Sequence, residues 1–313
     1  MTIIQLKYII AIDTYRHFAS AAENCFVSQP TLSMQLQKAE DELGVRIFDR
    51  SKQPLIPTEV GAELIEQARK IISEMAVLEE IVNLKKGIIS GELKIGIIPT
   101  LAPYLLPLFM QSFTEKYPRV KLVISEMTTA MITENLRQGK IDMGLLVTPL
   151  DEPGIKEYPL FYEELMAFVS KRNAKNKKTY ILPCEIDPAK LWMLEEGHCF
   201  RNQIENLCEL KKADSNSSGV RYESGSIETL RRMVDTNDGI TILPELATTD
   251  MTEDQLAQVW QFSRPAPMRE VSAVVHRDFI KGKLIELVKK EILLAIPEKI
   301  KSNQSNNVIP VTL

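Results

Sequence analysis

The sequence predicts a chain in three parts: an all-helical N-terminal segment, a long linking helix, and a C-terminal α/β region made of two lobes. Three observations carry that prediction. Short apolar-faced helical patterns fill residues 1–58, one uninterrupted pattern with heptad spacing follows, and beyond Gly91 buried strands alternate with helices. At 313 residues the chain has room for more than one domain. Its 44% hydrophobic and 26% charged residues exclude a disordered or collagen-like chain. No apolar run approaches the ~20 residues that a membrane span needs. The start, Met1-Thr2-Ile3-Ile4-Gln5-Leu6-Lys7, lacks the pattern of a secretory leader, so a cytoplasmic protein with no membrane contact is expected. The net charge of −4 by itself argues against a nucleic-acid partner, and the motifs have to overturn it.

In the first part, Leu6, Ile9, Ile10 and Phe18 supply an apolar face, and a second helix carries Ala19, Ala21 and Ala22. A third helix runs from Ser28, a natural N-cap, through Pro30 in its first turn to Leu43, and stops at Gly44. Leu32, Leu36 and Leu43 share its inner face. Ser28, Gln29, Pro30, Thr31, Ser33, Gln35 and Lys38 are left at its start or facing outward. Short hydroxyls and amides at a helix start suit base edges and phosphates in a major groove. Residues 1–58 hold six basic and six acidic side chains, so placement must carry the electrostatics: Arg46, Arg50 and Lys52 gather around a proline-rich, hairpin-like loop able to grip phosphates.

Residues 59–89 read as the linking helix, with Thr58 as its N-cap and Gly87 as its stop. Leu64, Ala68, Ile71, Met75, Leu78 and Val82 recur in steps of four and three, the seam of a coiled coil, which predicts a dimerisation helix.

Residues 90–300 read as the two-lobed region, in which Rossmann-like lobes flank a ligand cleft in the manner of periplasmic binding proteins. Strands are expected at 93–98, 120–125 and 141–147, with helices at 105–117 and 132–138. The second lobe, about 165–267, takes strands at 165–170, 192–194 and 240–243 and a helix at 227–234. A strand at 271–275 and a helix at 280–295 follow, and the polar residues 301–313 are expected to be a disordered tail.

Four cysteines are too few for a disulfide scaffold, and in a reducing compartment a thiol pair is a candidate for chemistry. Cys199 has His198 beside it and Arg201 two residues on, neighbours that favour the reactive thiolate. A helix from there to Cys208 separates the two by roughly 13.5 Å, whereas a disulfide needs Cα atoms within about 7 Å. The segment must refold for the pair to bridge, as a redox switch requires. Moving a two-state element from 1:99 to 99:1 takes about 5.5 kcal/mol, which roughly 120 mV of a two-electron couple supplies. Cys25 and Cys184 lack such neighbours and read as structural. No spacing of Cys, His and Asp fits a zinc site, so no metal and no cofactor are expected.

The run holding Ser28-Gln29-Pro30, Leu32-Ser33, Gln35, Leu43-Gly44-Val45, Phe48, Arg50, Thr58 and Gly61 resembles the winged helix-turn-helix of LysR-type transcriptional regulators. The linking helix and two-lobed domain resemble the rest of that family. Gly197-His198-Cys199-x-Arg201, the spacing to Cys208, and the segments Ser226-Ile227-Glu228-Thr229-Leu230-Arg231 and Gly239-Ile240-Thr241-Ile242-Leu243-Pro244 are similar to its hydrogen-peroxide-sensing members. That likeness implies Cys199 as the peroxide-reacting thiol and Cys208 as the resolving one. It implies Thr100, Thr129, His198 and Arg201 as groups that bind peroxide or activate the thiolate. Promoter DNA, a second copy of the chain in dimers and tetramers, RNA polymerase and a cellular thiol reductant are the partners implied. The sequence departs from the pattern at Met34, Asn202 and Arg221.

An alternative stays open at this point: a regulator of the same type answering to a small metabolite between the lobes. A thiol peroxidase is disfavoured, because there is no Cys-x-x-Cys motif and an enzyme has no need of residues 1–90. The chain is therefore expected not to be an enzyme.

Overall fold

The computed structural model describes residues 1–85, 89–174, 179–195, 199–208, 225–277, 279, 281–303 and 307–310. It forms two compact units, one built from residues 1–90 with 138–140 and 278–282, and the other from the rest of 91–313.

The first unit begins with α1 (Ile3–Tyr15), α2 (Phe18–Asn24) and α3 (Gln29–Leu43). Their shared core holds Ile9, Ile12, Ala21, Ala22, Leu32, Leu36 and Ala39, and the alanines let α2 lie close against its neighbours. Ser28 caps α3 by accepting from the Thr31 amide, and Gly44 ends it at φ 71°. Leu43, expected on the buried face, is exposed: it is the last helical residue before that left-handed turn. The wing is a two-stranded antiparallel ribbon, β1 (Phe48–Asp49) with β2 (Ile56–Pro57). Buried Glu40 fixes it, accepting from the Ile47 and Phe48 amides and pairing with Arg46 at 3.0 Å and Arg50 at 2.9 Å.

Helix α4 (Glu59–Lys85) is capped by Thr58, whose hydroxyl accepts from the Gly61 amide at 2.9 Å and donates to the Arg46 carbonyl. Gly61 is required, since a Cβ there would drive into the Ile47 carbonyl. The seam expectation needs correction in its first half. Ala68 is buried, and Leu64 packs on the core of its own unit beside buried Ile65. Ile71, Met75 and Leu78 are exposed. The Val82 side chain and Gly87 lie outside the described residues.

The second unit contains β3 (Gly91–Ile97), α5 (Ala102–Lys116), β4 (Val120–Glu126), α6 (Thr129–Arg137) and β5 (Met143–Thr148), with β3 parallel to both β4 and β5. The fifteen-residue β6 (Ile155–Val169) starts ten residues before the expected strand and serves both lobes. Its first part pairs with β10 (Met268–His276). Its last part, from Leu165, pairs with β8 (Ile240–Pro244) and β9 (Val259–Phe262). Short α7 (Lys171–Ala174), β7 (Tyr180–Ile181), α8 (Cys199–Leu207), α9 (Ile227–Thr236) and α10 (Glu253–Leu256) complete the second lobe. Instead of a continuous strand at 192–194 there are isolated bridge positions at Leu191, which pairs with Ile240, and at Leu194. The strand order is β4-β3-β5-β10-β6-β9-β7, with β8 also on β6.

Helices α11 (Gly282–Ala295) and α12 (Glu298–Lys301) follow. Beyond them, the expected disordered tail is corrected at residues 307–309. Val308 bridges to Met268, and the Met268 amide and carbonyl are satisfied by Asn307 and Ile309. Ile309 is buried, so the apolar pair inside this polar stretch supplies the reason for docking.

Candidate redox thiol site and DNA-reading face

Cys199 is the first residue of α8, and its side chain is buried. Thr129, which opens α6 in the other lobe, donates its hydroxyl to the sulfur at 3.5 Å. Both threonines singled out in the sequence are buried here. Thr100, in the turn after β3, accepts from Arg269 through its hydroxyl and its carbonyl, each at 3.2 Å.

Arg269 organises the site, and sequence reasoning missed it. Its guanidinium is fully buried, pairs with buried Glu163 at 2.7 Å, and lies 5.3 Å from the centre of the Phe200 ring. The second oxygen of Glu163 accepts from the Leu246 amide. Excellent geometry and filled hydrogen-bond positions are what make a buried ion pair tolerable. The available signal was a charge interrupting an apolar strand, in Met268-Arg269-Glu270-Val271 and in Tyr162-Glu163-Glu164-Leu165.

The thiol's electrostatics differ from the expectation of a thiol activated by its sequence neighbours. Burial is the largest influence on Cys199 and pushes its pKa up. The Thr129 hydrogen bond, the charge of Arg269 and the backbone amides at the start of α8 oppose it. Arg201, expected to activate the thiolate, instead binds Glu205 at 2.8 Å and the Leu194 carbonyl at 3.0 Å. His198 lies outside the described residues, as does Arg221.

Cys208 continues the same helix, its amide bonded to the Ile204 carbonyl at 3.0 Å. Burial raises its pKa to about 11. Both thiols are free. Nine helical residues hold them roughly 13.5 Å apart. The arrangement offers a small oxidant a thiol with a hydroxyl donor and a cation beside it. A second thiol is available only once the helix opens.

On the first unit, α3 presents Gln29, Pro30 and Lys38 exposed, with Thr31, Ser33 and Gln35 partly exposed. Ser28 and Thr31 hydroxyls lie 2.8 Å apart, and Gln35 accepts from Gln5 at 3.2 Å, so part of this face is already ordered. On the wing, Lys52 is exposed, whereas Arg50 is committed to Glu40 and stacks 5.8 Å from Phe18. Arg50 is thereby first a brace for the wing.

Two family comparisons decide the classification. Residues 3–62 match the bacterial regulatory helix-turn-helix protein of the lysR family, and residues 86–291 match the LysR substrate binding domain. The chain belongs to the LysR family. Among LysR relatives, the hydrogen peroxide-inducible genes activator of Haemophilus influenzae is 32% identical over 302 residues, 96% of this chain and 98% of that protein. The DNA-binding transcriptional dual regulator OxyR of Escherichia coli K12 is 34% identical, covering 88% of this chain and 89% of that one. Full-length OxyR of Pseudomonas aeruginosa, carrying a cysteine-to-aspartate change, aligns with a TM-score of 0.77 at 33% identity over 95% of this chain and 99% of that one.

Proposed function

We propose that this LysR-family chain is a hydrogen-peroxide-responsive regulator that binds promoter DNA in the cytoplasm, activates antioxidant genes, and is not an enzyme. The supporting observation is the setting of Cys199: a buried sulfur that receives the Thr129 hydroxyl beside Arg269, with Cys208 at the far end of the same helix.

The chemistry runs in two balanced steps. The Cys199 thiolate attacks one peroxide oxygen; a sulfur–oxygen bond forms, the oxygen–oxygen bond breaks, and hydroxide leaves to take up a proton as water. Thr129 and Arg269 hold the negative sulfur during approach, with Thr100 keeping the guanidinium in place and His198 orienting the peroxide. Cys208 then displaces the sulfenic oxygen as a second water, giving the disulfide. Two thiols have lost two electrons to one peroxide, and a cellular thiol reductant reverses the change. Because α8 cannot survive bridging of its ends, the effector unit changes shape and promoter binding with it.

Ile71, Met75 and Leu78 join two copies of the chain along α4, and dimers pair into tetramers. The outward face of α3, with Ser28, Gln29, Pro30, Thr31, Ser33, Gln35 and Lys38, reads the groove, with Lys52 and the braced Arg50 on phosphates. The activated complex contacts RNA polymerase. Mass spectrometry of digested protein after peroxide treatment tests this reading. A Cys199–Cys208 linked peptide is expected, and its absence, with both thiols still alkylatable, overturns the reading.

A further inference from the structure

The C-terminal segment touches both sides of the thiol site. On one side, the Gln203 side chain is fully buried on α8, one turn after Cys199, and donates its amide to the Ile309 carbonyl at 2.9 Å. The Gln203 oxygen has no hydrogen-bond partner among the described residues, and among them the Ile309 carbonyl is what holds this amide. On the other side, Val308 bridges to Met268, whose amide donates to the Asn307 carbonyl at 3.1 Å and whose carbonyl accepts from the Ile309 amide at 2.9 Å. Met268 directly precedes Arg269, the cation of the site. Asn307 adds a 2.9 Å bond to the Pro265 carbonyl. One short stretch thus links the helix that carries the sulfur to the strand that carries the guanidinium.

Gln203 lies near the middle of the eight residues that separate the thiols. Bringing Cys199 and Cys208 within about 7 Å bends the chain at this point. The buried bond to Ile309 resists that bend, and breaking it leaves a buried carbonyl and amide without partners.

We infer that residues 307–309 and Gln203 are positioning residues for the thiol reaction: docked together, they hold α8 in the helical form that keeps the two cysteines apart, and they separate when the disulfide forms. The inference rests on the peroxide reading above. Hydrogen peroxide is the oxidant, reduced to two waters as the two thiols become one disulfide. Docking and bridging exclude one another, so removing the docked segment must ease bridging by as much as bridging loosens the segment.

Hydrogen exchange on the full-length protein tests this directly. The Ile309 amide is expected to be protected in dithiothreitol and to exchange freely after peroxide. In glutathione redox buffers, Gln203→Met and a chain ending at Asn306 should each move the thiol–disulfide equilibrium about tenfold toward disulfide, equivalent to roughly 30 mV. A merely structural contact would lower the melting temperature of both redox forms and leave that equilibrium in place. If wild-type protein forms no Cys199–Cys208 disulfide, the peroxide reading fails and this inference with it. If the disulfide forms while the Ile309 amide stays protected, or the equilibrium is unchanged in a folded Gln203→Met protein, this inference alone is overturned.

Discussion

The Thr129 hydroxyl donates to the Cys199 sulfur across 70 positions of sequence, joining the start of α6 in one lobe to the start of α8 in the other. A bond to the charged form of a thiol lowers its pKa, against the upward push of burial. Thr129→Val is therefore expected to raise the Cys199 pKa and reduce the thiolate fraction at neutral pH. Stopped-flow peroxide kinetics should show the rate at pH 7 falling by about tenfold, since one pKa unit is ~1.4 kcal/mol, with the rate–pH curve displaced to higher pH. An unmoved curve would remove Thr129 from the site's chemistry.

Arg269 supports the fold and the thiol at once, and the two roles separate by mutation. Arg269→Met leaves Glu163 buried without its cation and should cost about 3–5 kcal/mol in urea unfolding. Adding Glu163→Gln removes the orphaned charge and retains an acceptor for the Leu246 amide, so most of the stability should return. Peroxide reactivity of Cys199 should stay low in the double variant. Recovery of both properties together would show that the guanidinium does nothing for the sulfur.

The raised pKa of Cys208, about 11, sets a pH dependence of stability. A thiol whose folded pKa exceeds its unfolded value of about 8.5 contributes its full stabilisation below that unfolded value and loses it as pH rises through the folded one. Reduced protein should lose stability between about pH 8.5 and 11, and Cys208→Ala should lose less over the same interval. Parallel alkaline denaturation curves for the two proteins would contradict this.

Along α4, burial separates two kinds of apolar position. Ile71→Asp should leave each unit folded but weaken self-association in sedimentation, because Ile71 is exposed within one chain. Ala68→Asp places a charge at a position already buried within one chain and should lower the melting temperature instead. Unchanged sedimentation of Ile71→Asp would refute the seam.

On the reading helix, Lys38→Ala should weaken promoter binding and reduce the slope of log affinity against log salt by about one. Arg50→Ala acts through the wing, since Glu40 loses a partner there, and should also lower thermal stability.

Much of this was legible in the sequence, and the failures share a cause. Helix α3 could be read from Ser28, Pro30 and Gly44 because caps are local chemistry. The strands from β3 to β5 could be read from short apolar runs. Arg269 and Glu163 could not, because each looks like an error in a buried strand until its partner, 106 positions away, is brought beside it. The heptad pattern on α4 cannot distinguish burial within a unit from burial between copies, so Leu64 and Ala68 were grouped with Ile71 and Met75. Polar composition hid the docking of Val308 and Ile309, where two apolar residues and the start of β10, which β5 leaves unpaired, outweigh the surrounding asparagines. At the thiol, sequence neighbours pointed to Arg201, while the helix turns that side chain toward Glu205 and brings up a cation from β10.

The most direct test of the central claim is a nuclease footprint on one promoter fragment, comparing wild-type and Cys199→Ser protein before and after peroxide. The account predicts a footprint that changes for wild type and stays fixed for the variant. A variant whose footprint responds to peroxide as wild type does would contradict it.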